Sequence, residues 1–199
     1  MNKIKIFDDF LDISLANQIE NDVTGTYFPF FLTPKVNKNN ENLRFSTVND
    51  EDRNNLKNKN VINGFQLVHV AYIDNELRKN KSYYFPLLSK IVDTLQMKTK
   101  IVVKPTRIKC NLKPQCLEAT SDSFDHIHRD ADETNYSAVY YPHDTDGDTF
   151  FFDNNYRVVE RIQPKKNRLV FFNSNILHAA GFPVKNQVRI IVNIVMKGL

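Results

Sequence analysis

The sequence predicts a mainly β protein of the sandwich or jelly-roll type, with helices packed on the outside of one sheet. Two observations support this prediction. From residue 101 onward, short β-rich runs alternate with turn-rich pieces, and before that point two segments carry apolar residues at helical spacing. The predicted strands cover residues 101–112, 124–130, 136–141, 148–153, 156–162, 168–173, 176–180 and 187–196.

The first hundred residues are predicted to cover the sheets. The expected elements are a strand at 3–7, a helix that begins after Asp12, a strand at 66–73 and an amphipathic helix at 82–97. Asp is favoured just before a helix because its side chain accepts a hydrogen bond from the first backbone N–H groups. The polar segment 34–62 is expected to be a surface loop or a lid.

Length and composition predict one domain. With 199 residues, the chain is long enough for one substantial core and short for two. We expect a single domain over 1–199, with a covering region at 1–99 and a jelly-roll core at 100–199. Apolar residues make up 41% of the sequence, so a disulfide framework is not needed. The two cysteines, Cys110 and Cys116, are expected to be reduced thiols.

Charge and hydropathy argue against several classes of protein. The net charge of +4 is small, and the basic residues are not clustered with stacking aromatic residues, which disfavours nucleic acid as a partner. No apolar run approaches the ~20 residues of a membrane span, and the N-terminus does not read as a signal peptide. We therefore expect a cytoplasmic protein. With five glycines, the chain has no phosphate-cradling loop and no Gly-x-Ser-x-Gly elbow.

Two histidines, an aspartate and an arginine form the predicted functional constellation. Side chains two residues apart on an extended strand point the same way, so His128 and Asp130 are expected to lie side by side. His178 occupies a later apolar stretch, and Arg189 follows on the last predicted strand. Two histidines and one carboxylate on one face of a metal leave its opposite face open, as a non-haem iron oxygenase requires. Arg189 can hold a carboxylate through two parallel hydrogen bonds.

This arrangement resembles the 2-oxoglutarate/Fe(II) dioxygenases of the prolyl-hydroxylase-like group, whose core is a double-stranded β-helix. The resemblance covers roughly residues 101–196. The whole chain is also similar to small oxygenases carried by marine bacteriophages, in the strand at 107–112 and in the segment 167–172 before the distal histidine. A phage origin would place the protein in the cytoplasm of the host cell.

The resemblance implies a set of site residues and cofactors. The catalytic, metal-binding residues are His128, Asp130 and His178, and the residues that bind the co-substrate are Arg189, Tyr141 and Asn111. Arg189 would hold the far carboxylate of 2-oxoglutarate, and the hydroxyl of Tyr141 would contact the same group. The implied reaction is a hydroxylation that uses Fe(II), 2-oxoglutarate and O2, with succinate and CO2 as co-products and ascorbate as a supporting reductant. The expected substrate is a protein side chain or a small molecule.

The chain departs from the family pattern at three places. The segment 146–149 has one glycine where the family has a pair, and Asn167 stands where a turn glycine is usual. Asn tolerates a left-handed backbone, so we expect this turn to be kept. Ile191 occupies a position where many relatives have Ser, which makes the carboxylate site more dependent on Tyr141.

Two alternative interpretations remain open at this point. His126, His128 and Glu133 imitate the first metal motif of the cupins, although the glycines of that motif are missing. The other alternative is a non-catalytic jelly-roll module in which buried His and Asp side chains pair with each other, but this gives no reason for Arg189. In the oxygenase interpretation, His126 lines the pocket entrance or forms a hydrogen bond near the metal.

Overall fold

Antiparallel strands build two sheets, and the fold is the predicted mainly β jelly roll with flanking helices. The computed structural model describes residues 4–32, 61–62, 64–74, 79–132 and 134–199. In these ranges the strands are β1 (Lys5–Phe7), β2 (Phe31–Leu32), β3 (Leu67–Asp74), β4 (Lys79–Lys81), β5 (Val103–Pro114), β6 (Asn135–Tyr141), β7 (Thr149–Phe152), β8 (Val158–Ile162), β9 (Arg168–Asn173), β10 (His178–Ala180) and β11 (Val188–Gly198). The helices are α1 (Ile13–Thr24), α2 (Phe85–Leu88) and α3 (Lys90–Thr99).

The two sheets enclose an apolar interior. The larger sheet has the order β1-β9-β6-β11-β5-β3-β2, with β4 paired to β3, and the smaller sheet has the order β10-β7-β8. Buried side chains from both sheets meet in one cluster; they are Val139, Tyr141, Phe151, Ile162, Val170, Phe172 and Ile191. Four of the six predicted site residues lie on strands β5, β6, β10 and β11, which border this interior.

The helices cover the other face of the larger sheet. Asp12 begins α1 as predicted, because its side chain accepts a hydrogen bond of 3.0 Å from the backbone N–H of Leu15. Ile19 of α1 and Ile91 of α3 are fully buried in a second apolar cluster that also contains Ile108 of β5. The alternation along β5 therefore sends one face of this strand to the helices and the other face to the interior between the sheets.

The predicted helix at 82–97 is present as two consecutive helices, α2 and α3, which meet at Ser89. Pro86 lies in the first turn of α2, where the missing N–H leaves no intrahelical hydrogen bond unmade. The backbone of Lys100 adopts a left-handed conformation with φ 60° and ends α3. The helical region is thus close to the predicted one but is interrupted once and ends later.

The prediction of a strand at 124–130 is wrong. The segment forms isolated bridges only, from Phe124 to Gly181 and to Val61, and between His128 and His178. Its backbone N–H groups bond one at a time to β10 and the turn before it, including Asp130 N to the carbonyl of Ser174 at 3.0 Å. These widely spaced backbone hydrogen bonds hold the segment in place, but they do not form the continuous hydrogen-bond ladder of a β-strand.

Strand β4 was not predicted, a covering strand was one of two interpretations of the aromatic run 27–32 that contains β2, and the polar segment cannot be compared with its prediction. Strand β4 is exposed and reads Lys-Asn-Lys, and β2 has two residues, so neither shows an alternating apolar pattern. The predicted loop or lid at 34–62 lies outside the described residues except for its last two positions. Within the described ranges, no helix is long and apolar enough to cross a membrane.

Asn167 joins the N-terminal segment to the jelly roll. Its backbone has φ 60°, as expected for an Asn in place of a turn glycine. Its side chain accepts a hydrogen bond from Leu11 N and donates one to the carbonyl of Leu11, both at 2.9 Å. The hydroxyl of Tyr140 donates a further bond of 3.3 Å to the same side chain. The Asn side chain therefore makes three contacts in this turn that a glycine could not make.

Candidate metal centre

His128, Asp130 and His178 come together at one point, where Asp130 and His178 are buried and His128 is partly exposed. One potential ligand atom from each of the three side chains lies within 4.8 Å of the other two. Nε2 of His178 is 3.6 Å from a carboxylate oxygen of Asp130, and Nε2 of His128 is 4.0 Å from the other oxygen. Two atoms that each lie ~2.0–2.2 Å from one ion are at most about 4.4 Å apart, so these separations suit a shared ion.

The orientation of both imidazoles also suits metal binding. Nδ1 of His128 lies 3.0 Å from the carbonyl of His126, and Nδ1 of His178 lies 2.9 Å from the carbonyl of Ile176. A carbonyl can only accept, so each Nδ1 carries the proton and donates. The lone pair of each ring is then on Nε2, the nitrogen that faces Asp130. The three residues therefore fit a divalent ion bound by two neutral imidazoles and one carboxylate.

A buried network holds the carboxylate of Asp130. Arg107 of β5 donates to Oδ1 at 2.9 Å, and Ser137 of β6 donates to Oδ2 at 2.8 Å. Asn193 of β11 donates to Oδ2 at 3.3 Å and accepts from Arg107 at 3.0 Å. Three neighbouring strands thus fix the carboxylate. Sequence reasoning did not assign these supporting roles, although Asn193 is a single polar residue in the apolar run 190–196.

Charge in this network favours the metal-binding forms of the ligands. Burial alone would raise the pKa of Asp130, but His178, Arg107 and His128 outweigh burial and hold that pKa below its ordinary value. The pKa of His128 is lowered to about 4, first because surrounding protein atoms desolvate the charged ring and second because His178 lies beside it. An ionised carboxylate and a neutral imidazole are the forms that bind metals.

Arg189 lies buried in the same interior, in a cluster with Tyr141 and Thr149. Its Nε donates to the carbonyl of Gly147 at 2.5 Å, and Nη2 donates to the hydroxyl of Thr149 at 2.9 Å. The Tyr141 hydroxyl lies 2.7 Å from the Thr149 hydroxyl. Among the described residues, no carboxylate forms a salt bridge with Arg189, and only 1% of its surface is exposed. The guanidinium is thus a buried cation that is suited to an anionic ligand.

The arginine cluster and the metal-ligand cluster are neighbours. Phe151 follows Thr149 by two residues on β7 and lies opposite His178 of β10. The Phe151 ring packs with Tyr141 in the interior cluster and has its centroid 6.1 Å from that of His178. The structure therefore brings together His128, Asp130, His178, Tyr141 and Arg189, the first five of the six predicted site residues.

Asn111, the sixth, faces the interior from β5, where it lies opposite Ile191 of β11. Its Oδ1 atom is buried, and no described residue donates a hydrogen bond to it. A buried polar atom without a partner is costly, so a ligand or water that bonds to it would stabilise the site.

His126 does not join the metal-ligand cluster. Its side chain is exposed, and its contribution is the backbone carbonyl that orients His128. The cupin interpretation required His126 as a ligand, and Glu133, its other distinguishing ligand, lies outside the described residues. The grouped donors are those of the oxygenase interpretation.

Comparison with known families gives the decisive observation. Residues 113–197 match the family model of the 2OG-Fe(II) oxygenase superfamily. This part of the chain is a 2OG-Fe(II) oxygenase domain. The match spans the segment from the end of β5 to β11, which contains His128, Asp130, His178 and Arg189. The family match and the grouped metal donors together support a 2-oxoglutarate-dependent non-haem iron dioxygenase that uses Fe(II), 2-oxoglutarate and O2.

Solved structures of other proteins share the fold of this chain. A 2OG-Fe(II) oxygenase family protein from Burkholderia pseudomallei aligns with a TM-score of 0.65 at 9% identity, over 98% of this chain and 85% of that one. A prolyl hydroxylase from Trichoplax adhaerens, solved with a hypoxia inducible factor peptide, gives 0.56 at 17% identity over 100% and 84%. The viral collagen prolyl hydroxylase of Paramecium Bursaria Chlorella virus-1 gives 0.51 at 16% over 98% and 96%. No curated protein sequence matches the chain.

Proposed function

We propose that this oxygenase hydroxylates a protein side chain or a small molecule, with succinate and CO2 as co-products. The observation that carries the proposal is the grouping of two imidazoles and one carboxylate beside a buried arginine that forms no salt bridge with a described residue. A purely structural His–Asp pair would account for the first feature but gives no reason for the second.

The proposed iron ligands are His128, Asp130 and His178. Each histidine presents Nε2 because a backbone carbonyl accepts the proton of its Nδ1. Asp130 stays ionised because Arg107 and Ser137 donate hydrogen bonds to its two oxygens. When bound, Fe(II) with 2-oxoglutarate supplies the dioxygen chemistry that adds a hydroxyl group to the substrate. The role of the protein is to hold the three donors on one side and leave the other side accessible.

The proposed co-substrate residues are Arg189, Tyr141 and Asn111. A guanidinium fixed by Gly147 and Thr149 is already in position to receive the distal carboxylate of 2-oxoglutarate. The Thr149 hydroxyl bonds both to this guanidinium and to the hydroxyl of Tyr141. Tyr141 is therefore close enough to donate to the same carboxylate. The amide of Asn111 has no partner for its buried oxygen, and rotation of the amide would direct its N–H groups to a co-substrate oxygen.

Both proposed substrate classes occur among proteins of similar fold. Two of these proteins act on or bind polypeptides: one is a prolyl hydroxylase in complex with a hypoxia inducible factor peptide, and the other is a viral collagen prolyl hydroxylase. Another structure of similar fold is an epimerase from nogalamycin biosynthesis, which is shown in complex with a nogalamycin compound. The small net charge of this chain favours neither class.

Turnover of 2-oxoglutarate tests the proposal. Purified protein with ferrous iron and ascorbate is expected to form succinate, slowly without the prime substrate and faster with it. Asp130→Ala and His178→Ala are expected to lose bound iron and this activity. His126→Ala is the matched control, because His126 is an exposed histidine close to the site, and it is expected to keep its iron. Undiminished iron in both ligand variants would refute the assignment.

A further inference from the structure

Lys113 is a buried cation that the proposed function does not use. It lies on β5 directly opposite Arg189 of β11, and 2% of its surface is exposed. Side chains directly opposite each other on antiparallel strands have Cβ atoms about 4.5–5.5 Å apart, and like charges at such positions destabilise the pair. Two adjacent buried cations on the interior face therefore need anions to compensate them.

Among the described residues, one carboxylate forms a salt bridge with one of these two cations. Asp125 forms a salt bridge with Lys113, whereas Arg189 bonds to a carbonyl and a hydroxyl, neither of which carries a charge. Burial lowers the pKa of Lys113, the bond to Asp125 opposes that shift, and Arg189 adds to it. Asp148 acts on Arg189 through its charge but forms its salt bridge with Arg161, so Arg189 is left without a directly bonded carboxylate in a place closed to water.

Lys113 still has donor capacity for a ligand. An ammonium group has three N–H donors, and Asp125 is the one hydrogen-bond acceptor found for it within the described ranges. The Phe182 ring lies 4.4 Å from Nζ, so one side of the ammonium is covered by an aromatic surface. The main chain of Phe182 also lies beside Gly147, whose carbonyl holds Arg189. Lys113 and Arg189 therefore border the same small region of the interior.

We propose that Lys113 is a second cation for the distal carboxylate of 2-oxoglutarate, which Arg189 and Lys113 bind from neighbouring strands. In this arrangement Asp125 holds the ammonium on one side and the ligand carboxylate approaches on another. The inference rests on the proposed function, because it requires the distal carboxylate of the co-substrate to lie at Arg189. It assigns to Lys113 a contribution to co-substrate affinity and to the preference for a dicarboxylate.

Calorimetric titration of 2-oxoglutarate into the Mn(II)-loaded protein tests the proposal without turnover. Lys113→Met is expected to weaken 2-oxoglutarate binding by about 10-fold or more while the affinity for Mn(II) is unchanged. Lys113→Arg keeps the charge and is expected to restore part of the loss. Lys104→Met is the matched control on the same strand, because Lys104 is largely exposed and pairs with Asp74.

Two further measurements separate a ligand contact from a structural ion pair. 2-Oxopentanoate lacks the distal carboxylate, so we expect it to bind more weakly than 2-oxoglutarate. Its affinity is expected to be the same for Lys113→Met and for the wild type. Asp125→Asn is expected to keep or strengthen 2-oxoglutarate binding, since it frees the ammonium. Equal losses in Lys113→Met and Asp125→Asn, or equal losses for both ligands, would overturn the inference. Failure of the wild type to bind 2-oxoglutarate would instead contradict the proposed function.

Discussion

Arg107 sets the charge environment of Asp130. It donates to the carboxylate at 2.9 Å from the neighbouring strand β5 and is one of the groups that lower the pKa of Asp130. Arg107→Leu is expected to raise the pKa of Asp130 and to weaken Fe(II) or Mn(II) binding about 10–100-fold, the usual effect of removing a partner of a metal ligand. Metal titration at pH 7 measures the change.

The control for this variant is Arg157→Leu, because Arg157 is exposed on the loop before β8. It is expected to bind metal like the wild type. Unchanged metal affinity in Arg107→Leu would show that Ser137 and Asn193 suffice to hold the carboxylate.

Individual site residues could be predicted from the sequence where local spacing carries the information. A metal site was indicated by the two-residue interval between His128 and Asp130 together with the later His178, and this required no knowledge of the tertiary structure. Thr149 and Lys113 could not be found in this way, because the contact of Thr149 and the proposed role of Lys113 both depend on Arg189, far away in the chain. Pairing across strands is a property of the register, and single-sequence patterns do not specify register.

The turn at Asn167 links two elements, the segment before α1 and the start of β9. Asn167→Gly keeps a residue that tolerates φ 60° but removes three side-chain hydrogen bonds. We expect the free energy of unfolding to fall by about 1–3 kcal/mol. Asn167→Ala is expected to lose about 1–2 kcal/mol more, because a Cβ atom disfavours the left-handed conformation. Urea denaturation measures both variants.

Asn155→Ala is the control for the Asn167 variants, since Asn155 lies in an exposed turn. Its free energy of unfolding is expected to stay within about 0.5 kcal/mol of the wild-type value. If Asn167→Gly were as stable as the wild type, the bonds to Leu11 would add nothing to the attachment of the N-terminal segment.

Elements with a strong period were predictable, and weakly patterned ones were not. The run 187–196 and the helix after Asp12 carry clear apolar patterns and appear close to their predicted places. The segment 124–130 has two apolar residues, Phe124 and Ile127, and its backbone bonds are divided between β10 and a turn, so it forms bridges in place of a strand. Strand β4 has no apolar residue and becomes a strand only because β3 offers it a pairing edge.

For the whole molecule, metal binding and folding are expected to be coupled. The three proposed ligands come from two segments far apart in the chain, so an unfolded chain would not hold the ion in the same way. Mn(II) at 100 times its dissociation constant would stabilise the fold by about 2.7 kcal/mol. For a chain of this size, that corresponds to a rise in melting temperature of roughly 5–10 °C.

Differential scanning calorimetry with Mn(II) and then with a chelator measures this coupling. The chelator is expected to reverse the rise in melting temperature. The melting temperature of His178→Ala is expected not to rise while the Mn(II) concentration stays below the dissociation constant of this variant. A melting temperature that does not respond to Mn(II) in the wild type would argue against a preformed site.

The restraint of the arginine side chain before any ligand arrives has a thermodynamic consequence. Gly147 and Thr149 already hold the Arg189 guanidinium in one orientation. Immobilising a free arginine costs up to about 1.5–2 kcal/mol of rotamer entropy. In this protein the side chain loses that freedom when the chain folds, before any ligand binds. A dicarboxylate that enters the pocket therefore meets a receptor arranged in advance, and its association loses less configurational freedom than binding to a mobile arginine would.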